Sequence, residues 1–367
     1  MIMKKEKIII ACGSTGGHIF PAIEIAKSFQ KKKQIDILFV GALNKMEMIR
    51  VPKAGFPIIG LWIQGFNRNA ILKNFLLPFK LIVSLLHSFI VLIYYKPIAV
   101  LGTGGYATGP VLLISSLLGI KTYIQEQNYF PGLTNRLLAN RVSKVFVANN
   151  NMEKFFPTNK IVNFGNPVRL DLKISIDLKT IYQSRKFFGL SNSKFTILVI
   201  GGSLGAEPLS QALVQNLAQL NSNNIQLIWQ TGDVSYNKYQ QYQSDFCAVK
   251  RFINRMDLAY NAADVVISRS GAIAIAEICY LSKASILVPS PYVTDDHQTK
   301  NAQYLFENKA CLMTEQDQLS VMLMSLISKM KVDKTRNSIG LNANKLFNSN
   351  AADSIVSAIL DNHKKLC

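Results

Sequence analysis

The chain is short of cysteine, histidine and acid, and each shortage closes a door. Its five cysteines (Cys12, Cys247, Cys279, Cys311 and Cys367) are scattered along 367 residues with no CxxC pair. An odd number in a chain with no evident secretion signal reads as reduced, cytosolic thiols. "MIMKKEKIII" is basic and then apolar, but it runs into a glycine turn rather than a small-residue cleavage site, so no signal peptide is expected. The four histidines (His18, His87, His297, His363) do not fall at ligand spacing with the cysteines, so no metal is expected. There is no Walker A motif, no GxGxxG with an acid about 20 residues on, and no low-complexity tract. A hydrophobic content of 49% with 17% charged residues excludes a disordered chain.

The shortage of acid is uneven. Residues 1–165 hold 20 Lys and Arg against 6 Asp and Glu, a net of +14 within a total of +19. Such a face suits nucleic acid or an anionic membrane surface, or simply favours solubility. Its companion is the most apolar stretch in the protein, Asn69 to Pro97, "NAILKNFLLPFKLIVSLLHSFIVLIYYKP". The uncharged part, Leu81 to Tyr95, is shorter than the ~18–20 residues of a membrane span. Lys73, Lys80 and Lys96 punctuate the stretch and Pro78 interrupts it. It reads as a region that docks on a bilayer surface while part of it serves as a core helix.

Short β-branched runs alternate with helical patterns throughout. "KIIIAC", "IDILFVG", "IAVLGTG", "KTYIQE" and "KVFVAN" read as strands in the first half. "FTILVIGG", "IQLIWQTG", "CAVKRFI", "VVISRSG" and "ASILVPS" do so in the second. Apolar runs separated by helices indicate parallel sheets covered on both faces, here an α/β chain with two Rossmann-like domains. Gly165 and Pro167 break the pattern in "VNFGNPVRLD" and mark the boundary. The expected division is 1–165, joined by a C-terminal helix at 350–367, and 166–349. "DLKTIYQSRKFFGL" is read as a helix leading into the second domain.

Glycine clusters follow three of the strands. "GSTGGH" (Gly13 to His18) precedes a helix read from Ile19, with Pro21 in its first turn. Glycines let backbone N–H groups approach oxygens, and a helix N-terminus is electropositive. "GTGGYATGP" (Gly102 to Pro110) follows a second strand of the same domain, and two such loops suggest a diphosphate-bearing ligand. Gly13, Ser14, Gly104, Gly105 and Tyr106 are its candidate contacts. "GGSLGAEP" opens the second domain with Ser203 as an added hydroxyl donor. "SRSGAIAIAEICY" then reads as strand end, turn and helix, with Glu277 suited either to a ribose diol or to the helix dipole. "PYVTDDHQTKNAQYL" supplies His297 and Gln298 for sugar hydroxyls, and "IQEQNYFPGLTNRLL" ends a strand in Glu126, Gln127 and Asn128.

Taken in order, "GSTGGHIFPA", "GGYATGP", "QEQNYFPGLTNRLL", "GNPVR", "GGSLGA", "WQTG", "SRSGAIAIAE" and "PYVTDDHQTKNA" resemble the MurG family over nearly the whole chain. These are the undecaprenyldiphospho-muramoylpentapeptide β-N-acetylglucosaminyltransferases of bacterial peptidoglycan synthesis, in glycosyltransferase family 28. The resemblance implies a GT-B fold, with two Rossmann-like domains whose parallel sheets face a central cleft. It implies inverting transfer of GlcNAc from UDP-GlcNAc to the C4 hydroxyl of MurNAc in lipid I, giving lipid II. No cofactor, catalytic metal or nucleic acid is implied, and the place of work is the cytoplasmic face of the plasma membrane. Thr15, Gly16, Gly17 and Asn128 would border the donor sugar, with Gln298 on its hydroxyls. Arg169 and Ser203 would meet the diphosphate, and Ile253 would meet uracil through its backbone. Ala272, Ile273, Ala274, Ile275, Ala276 and Glu277 would meet diphosphate and ribose. The sequence departs from the family at Cys12 and Ser14, where Gly is more frequent, and at Gln125, where His is frequent; His297 stands where some members carry Gln.

Inverting displacement needs a base for the acceptor hydroxyl. His18 is the candidate, because an unperturbed imidazole titrates near ~6.5. It could equally hold the acceptor diphosphate or the loop itself, and Glu126 is the fallback base. A UDP-GlcNAc 2-epimerase shares the expected fold but has no need of the apolar surface and the basic domain. A dinucleotide oxidoreductase lacks its fingerprint here, and a non-catalytic scaffold leaves the polar loop residues unexplained.

Overall fold

The computed structural model describes residues 5–32, 35–66, 74–169, 172, 177–202, 204–293, 296–348 and 350–364. Backbone contacts divide the chain into two units, Met1–Val168 with Asn348–Cys367, and Arg169–Phe347.

In the first unit strands and helices alternate. They are β1 (Glu6–Ala11), α1 (Gly16–Lys32), β2 (Ile35–Ala42), α2 (Glu47–Lys53), β3 (Ile58–Leu61), α3 (Leu77–Tyr95), β4 (Ala99–Gly102), α4 (Thr108–Leu117), β5 (Lys121–Glu126), α5 (Leu133–Leu138), β6 (Lys144–Val147) and β7 (Ile161–Asn163). The seven strands run parallel in the order β3-β2-β1-β4-β5-β6-β7. The order reverses between β1 and β4, and loops leaving the carboxyl ends of those two strands flank the crevice where such sheets bind ligands.

The second unit repeats the plan. It comprises α6 (Leu178–Phe187), β8 (Phe195–Ile200), α7 (Glu207–Ser222), β9 (Ile225–Gln230), α8 (Tyr236–Tyr239), β10 (Cys247–Lys250), α9 (Met256–Ala262), β11 (Val265–Ser268), α10 (Ala272–Tyr280), β12 (Ser285–Leu287), α11 (His297–Glu307), β13 (Leu312–Met313), α12 (Leu319–Lys331) and α13 (Asp333–Lys345). Its parallel sheet has the order β10-β9-β8-β11-β12-β13, with the reversal between β8 and β11. The last helix, α14 (Ala351–Lys364), belongs to the first unit.

All ten strands read from the sequence are present. The three that were missed, β3, β7 and β13, are short strands with partly exposed patterns, so they lack the apolar run that marks a buried strand. Each sheet is covered on both faces. In the first unit Ile8, Ile10 and Phe39 face α1 and α14 on one side, while Ile9, Val40 and Val100 face α3 and α4 on the other. Ile355, Val356 and Ile359 of α14 enter that first core, and its Asp353 accepts from Ser28 of α1.

Two helix readings need correction. α1 starts at Gly16, so His18 lies in its first turn and Pro21 lies inside the helix. A proline there has no N–H to donate toward the Gly17 carbonyl four residues back. Pro78 does not interrupt the apolar stretch: it sits in the first turn of α3, where its fixed φ is compatible with a helix start. The resulting 19-residue helix is long and apolar enough to cross a membrane by length and composition.

Its packing is inverted. Ser84, Ser88, Val91 and Leu92 are buried against the domain, whereas Leu81, Ile82, Leu86, Phe89, Ile90 and Ile93 are exposed. The inward hydroxyls are satisfied locally, Ser84 donating to Trp62 O (3.1 Å) and Ser88 to Ser84 O (2.7 Å). Residues 67–73, which include the sequence-noted Lys73, lie outside the described residues.

Candidate active site

The first unit builds its site from three loops at the carboxyl ends of β1, β4 and β5. Leaving β1, Ser14 takes a left-handed φ of 74°. This conformation favours glycine, which accounts physically for the family's preference at that position. The Ser14 amide donates to Glu47 Oε2 (3.1 Å), and Ala42 N donates to Glu47 Oε1 (2.9 Å). Glu47, the first residue of α2, is wholly buried. A Cβ on Gly13 would come within 2.9 Å of its carboxylate. This brace was not found in the sequence, because an acid opening a helix reads as ordinary dipole complementation. Burial, with Glu47 adding, also pushes the neighbouring Cys12 thiol far up and keeps it protonated.

His18 Nδ1 lies 2.8 Å from Gly13 O and 3.3 Å from Thr15 Oγ1. A ring nitrogen facing a carbonyl is the protonated one, so Nε2 is the basic nitrogen of the neutral ring. The ring rests over Gly104: a Cβ there would approach Cδ2 to 2.7 Å and Nε2 to 2.9 Å. Gly104 and Gly105 both have positive φ (106° and 90°), and a Cβ on Gly105 would fall 2.5 Å from Gly13 O. Thr103 closes the pair, its N donating to Ala11 O (2.9 Å) and its Oγ1 to His18 O (2.9 Å). Gly13, Ser14, His18, Gly104 and Gly105 therefore form one cluster. Tyr106 stands beside it, its ring against Gly65 and its phenol pushed up by burial.

At the end of β5 the side chains of Glu126 and Gln127 point inward. Glu126 is 1% exposed and accepts four hydrogen bonds. These come from Asn128 N (2.9 Å) and Nδ2 (3.2 Å) to Oε1, and from Gly132 N (3.1 Å) and Asn135 Nδ2 (2.8 Å) to Oε2. That geometry makes Glu126 the brace of the loop carrying Asn128. Gln127 Nε2 donates to Thr103 O (2.7 Å) and ties this loop to the second.

In the second unit the loops after β8 and β9 interlock. A Cβ on Gly205 would lie 1.8 Å from Thr231 O, and one on Gly232 would lie 1.9 Å from Leu204 O. Gln230, which lies in the "WQTG" motif but was given no role there, spans two loops: Nε2 donates to Gly202 O (2.8 Å) and Oε1 accepts from Ile253 N (2.9 Å). The Ile253 amide is thereby engaged, and its carbonyl is the backbone group left to offer a base. Ser203 lies outside the described residues.

Glu277 sits in the second turn of α10, so it is not a first-turn dipole partner. Its carboxylate receives the Tyr260 hydroxyl at 3.0 Å and the Arg169 guanidinium at 3.4 Å. Tyr260, also missed in the sequence, is fully buried, and burial followed by Glu277 pushes its phenol well up. Ala272, Ile273, Ile275 and Ala276 are buried and Ala274 is half-buried, so a ligand meets that turn mainly through backbone. The buried Ser270 Oγ just ahead of it makes no hydrogen bond among the described residues. Gln298, in the first turn of α11, accepts from Ser290 N (2.9 Å).

Glu207 opens α7 and receives Ser235 Oγ (2.9 Å), Lys238 Nζ (2.5 Å), Tyr239 OH (2.6 Å) and Gln211 Nε2 (3.2 Å). Burial resists its ionisation, but these donors prevail and hold the carboxyl at about 2.

Glycine loops at both switch points, an oriented imidazole in one unit and a carboxylate–guanidinium pair in the other, define a class: a nucleotide-sugar glycosyltransferase of the GT-B fold. Residues 8–147 match the glycosyltransferase family 28 N-terminal domain, and residues 196–357 match the family 28 C-terminal domain. The UDP-N-acetylglucosamine–N-acetylmuramyl-(pentapeptide) pyrophosphoryl-undecaprenol N-acetylglucosamine transferase of Flavobacterium psychrophilum is 43% identical over 98% of both chains. The crystal structure of Acinetobacter baumannii MurG superposes with a TM-score of 0.76 at 28% identity, covering 98% of this chain and 100% of that one. A UDP-N-acetylglucosamine 2-epimerase structure reaches 0.66 at 12% identity over 99% and 98%, a likeness of fold alone. The chain belongs to the MurG family of N-acetylglucosaminyltransferases.

Two outcomes follow from this geometry. Gly104→Ala forces a Cβ into the His18 ring at a positive φ, and were that ring a reacting group, a displacement of about 1 Å would cost on the order of 100-fold in turnover. Steady-state kinetics should show that loss with UDP affinity unchanged, and an unaltered kcat would count against a part for the His18 ring in turnover. The depressed Glu207 carboxyl adds stability that is full above its ordinary 4.5 and is lost as pH falls toward 2. Thermal melts of Glu207→Gln should therefore lie below wild type at pH 6 and converge with it on acidification through that window.

Proposed function

We propose that the chain transfers GlcNAc from UDP-GlcNAc to the C4 hydroxyl of MurNAc in the undecaprenyl-pyrophosphoryl muramoyl-pentapeptide, with inversion. Identity of 43% across 98% of a named relative is the observation that carries this reading. In it the first unit handles the acceptor and the second the donor nucleotide. The Gly13–Ser14 and Gly104–Tyr106 loops take the acceptor diphosphate, Thr15 to Gly17 and Asn128 border the donor sugar, and Gln298 binds its hydroxyls.

His18 is the base. Its Nδ1–H bond to Gly13 O favours proton uptake at Nε2, and the same carbonyl stabilises the imidazolium that forms. The acceptor oxygen loses its proton to Nε2 and attacks the anomeric carbon as the bond to UDP breaks. Charge developing on UDP is met by the amino end of α10, Ser270 Oγ and Arg169, with Glu277 on the ribose diol and the Ile253 carbonyl on uracil. The four bonds to Glu126 make it a poorer base, since taking a proton would disturb the loop it braces.

The outward face of α3 is the membrane contact, and the reading places the enzyme on the cytoplasmic face of an anionic bilayer. Trp62 and Phe79 meet edge to face at 5.9 Å beside it, and Lys80 lies over the Trp62 ring at 5.3 Å. Aromatics and cations around an apolar helix suit a headgroup boundary.

Radiolabelled UDP-GlcNAc with a lipid I analogue should give a labelled disaccharide lipid; formation of UDP-ManNAc without acceptor would instead mark an epimerase. His18→Ala should lower kcat about 10²–10⁴-fold with little change in KM for UDP-GlcNAc. A kcat within a few-fold of wild type would remove it as the base. In vesicle flotation, Leu86→Glu with Ile90→Glu should abolish binding to anionic vesicles while soluble-substrate turnover persists; retained binding would move the contact elsewhere.

A further inference from the structure

A cavity of about 690 Å³ opens in the second unit at the amino ends of its central strands. Its walls come from segments just before strands begin: Asn192 ahead of β8, Asp264 ahead of β11, and Lys283 ahead of β12. In a parallel sheet these are amino ends. A strand of six residues at about 3.3 Å each sets them about 20 Å from the glycine loops. The volume lies within the ~300–1,000 Å³ of small-molecule sites.

The lining is cationic. Arg185, Lys283 and Arg336 face one carboxylate, Asp264. Arg185 Nη2 bonds Asp264 Oδ2 at 2.9 Å, and its other nitrogens bond the carbonyls of Ala262 and Asn192. Arg336 pairs with Asp333, outside the lining, and caps the Met330 and Lys331 carbonyls. With both carboxylates counted, one positive charge remains uncompensated. It falls to Lys283, whose ammonium makes one hydrogen bond, to Ala263 O at 2.6 Å. Two of its three N–H donors thus have no acceptor among the described residues. Burial pushes it down to about 8; Asp264 opposes the push, and Arg185 and Arg336 add to it. An ammonium enclosed in this way is stabilised by an anion. The mouth is apolar, formed by Leu178, Leu341 and the half-exposed Tyr182 ring.

We propose that this cavity is a second ligand site, distinct from the glycine-loop edge, for a small molecule that carries a phosphate or carboxylate on an apolar body. The Lys283 ammonium binds the oxyanion, and Tyr182 with the leucines covers the apolar part. A saturable site of this kind gives the second unit a means of sensing a metabolite without competing for the nucleotide.

Calorimetry at fixed ionic strength, with UDP saturating, tests it using phenyl phosphate, benzoate and inorganic phosphate as probes. Phenyl phosphate or benzoate should bind saturably, and the better of them should bind several-fold tighter than inorganic phosphate. Which of the two prevails identifies the anion. Lys283→Gln should weaken binding about ten-fold or more with UDP affinity unchanged. Tyr182→Ala, at the exposed rim, should weaken the aromatic probes but not inorganic phosphate, which keeps the test open should Lys283→Gln fold poorly. Absence of saturable binding, or binding indifferent to both substitutions, would overturn the site. Failure of UDP itself to bind would count against the donor assignment alone.

Discussion

Two backbones meet in the first unit where neither can carry a side chain. Gly13 O lies where a Cβ of residue 105 would have to be, and the His18 ring lies where a Cβ of residue 104 would have to be. The same Gly13 carbonyl accepts the His18 Nδ1 proton, so one oxygen sets both the loop spacing and the tautomer. From it a connected set of bonds runs outward: Glu47 to Ser14 on one side, and His18 O, Thr103, Gln127 and Asn166 on the other. In such a network the loss of one member strands a buried partner, so the cluster behaves as a unit rather than as separable contacts. The orientation of the imidazole therefore depends also on buried residues away from the glycine loops, Glu47, Gln127 and Asn166 among them.

The second unit reaches a comparable rigidity by other means. Its loops are locked by the mutual approach of Gly205 and Gly232 to opposing carbonyls, and Gln230 bridges the loops on either side. Where the first unit presents an imidazole, this one presents an ion pair, Arg169 with Glu277, steadied by a buried Tyr260 hydroxyl. Arg169 is part-buried rather than fully exposed, so a phosphate arriving there would meet a guanidinium already oriented by a carboxylate. No lysine of the P-loop kind is required for such an arrangement, in keeping with the missing Walker A motif.

What the sequence disclosed was whatever depends on local pattern. Buried strands of four to eight residues announce themselves as apolar runs, and glycine clusters at strand ends announce the loops. Hence ten of the thirteen strands among the described residues and both switch-point loops could be read directly. Glu47, Gln230 and Tyr260 could not, since their roles rest on partners 33, 28 or 17 residues away. Glu126 is a related case: the sequence shows a carboxylate at a strand end, and only the fold shows the four donors that occupy it. Lys283 carries no sequence signal at all, being one of many lysines until the fold encloses it.

Helix α3 shows how packing decides what hydropathy leaves open. By composition it could cross a bilayer, yet its serines face inward with Val91 and Leu92, while most of its large apolar side chains face outward. Serines are small enough to let the helix approach the domain closely, and both hydroxyls are bonded within the buried face. To insert across a membrane the helix would have to detach Val91 and Leu92 from the core and carry Lys80 inward. Lying on the surface leaves that packing intact. Each outward leucine, isoleucine or phenylalanine is worth about 1.5–3 kcal/mol when fully removed from water. A few such side chains, half-immersed and aided by roughly 1 kcal/mol per nearby lysine, suffice for reversible attachment. Under the proposed docking, the enzyme's long-tailed acceptor stays in the bilayer while its diphosphate remains accessible at the surface. A peripheral helix with its polar side turned inward serves that need better than a membrane span would.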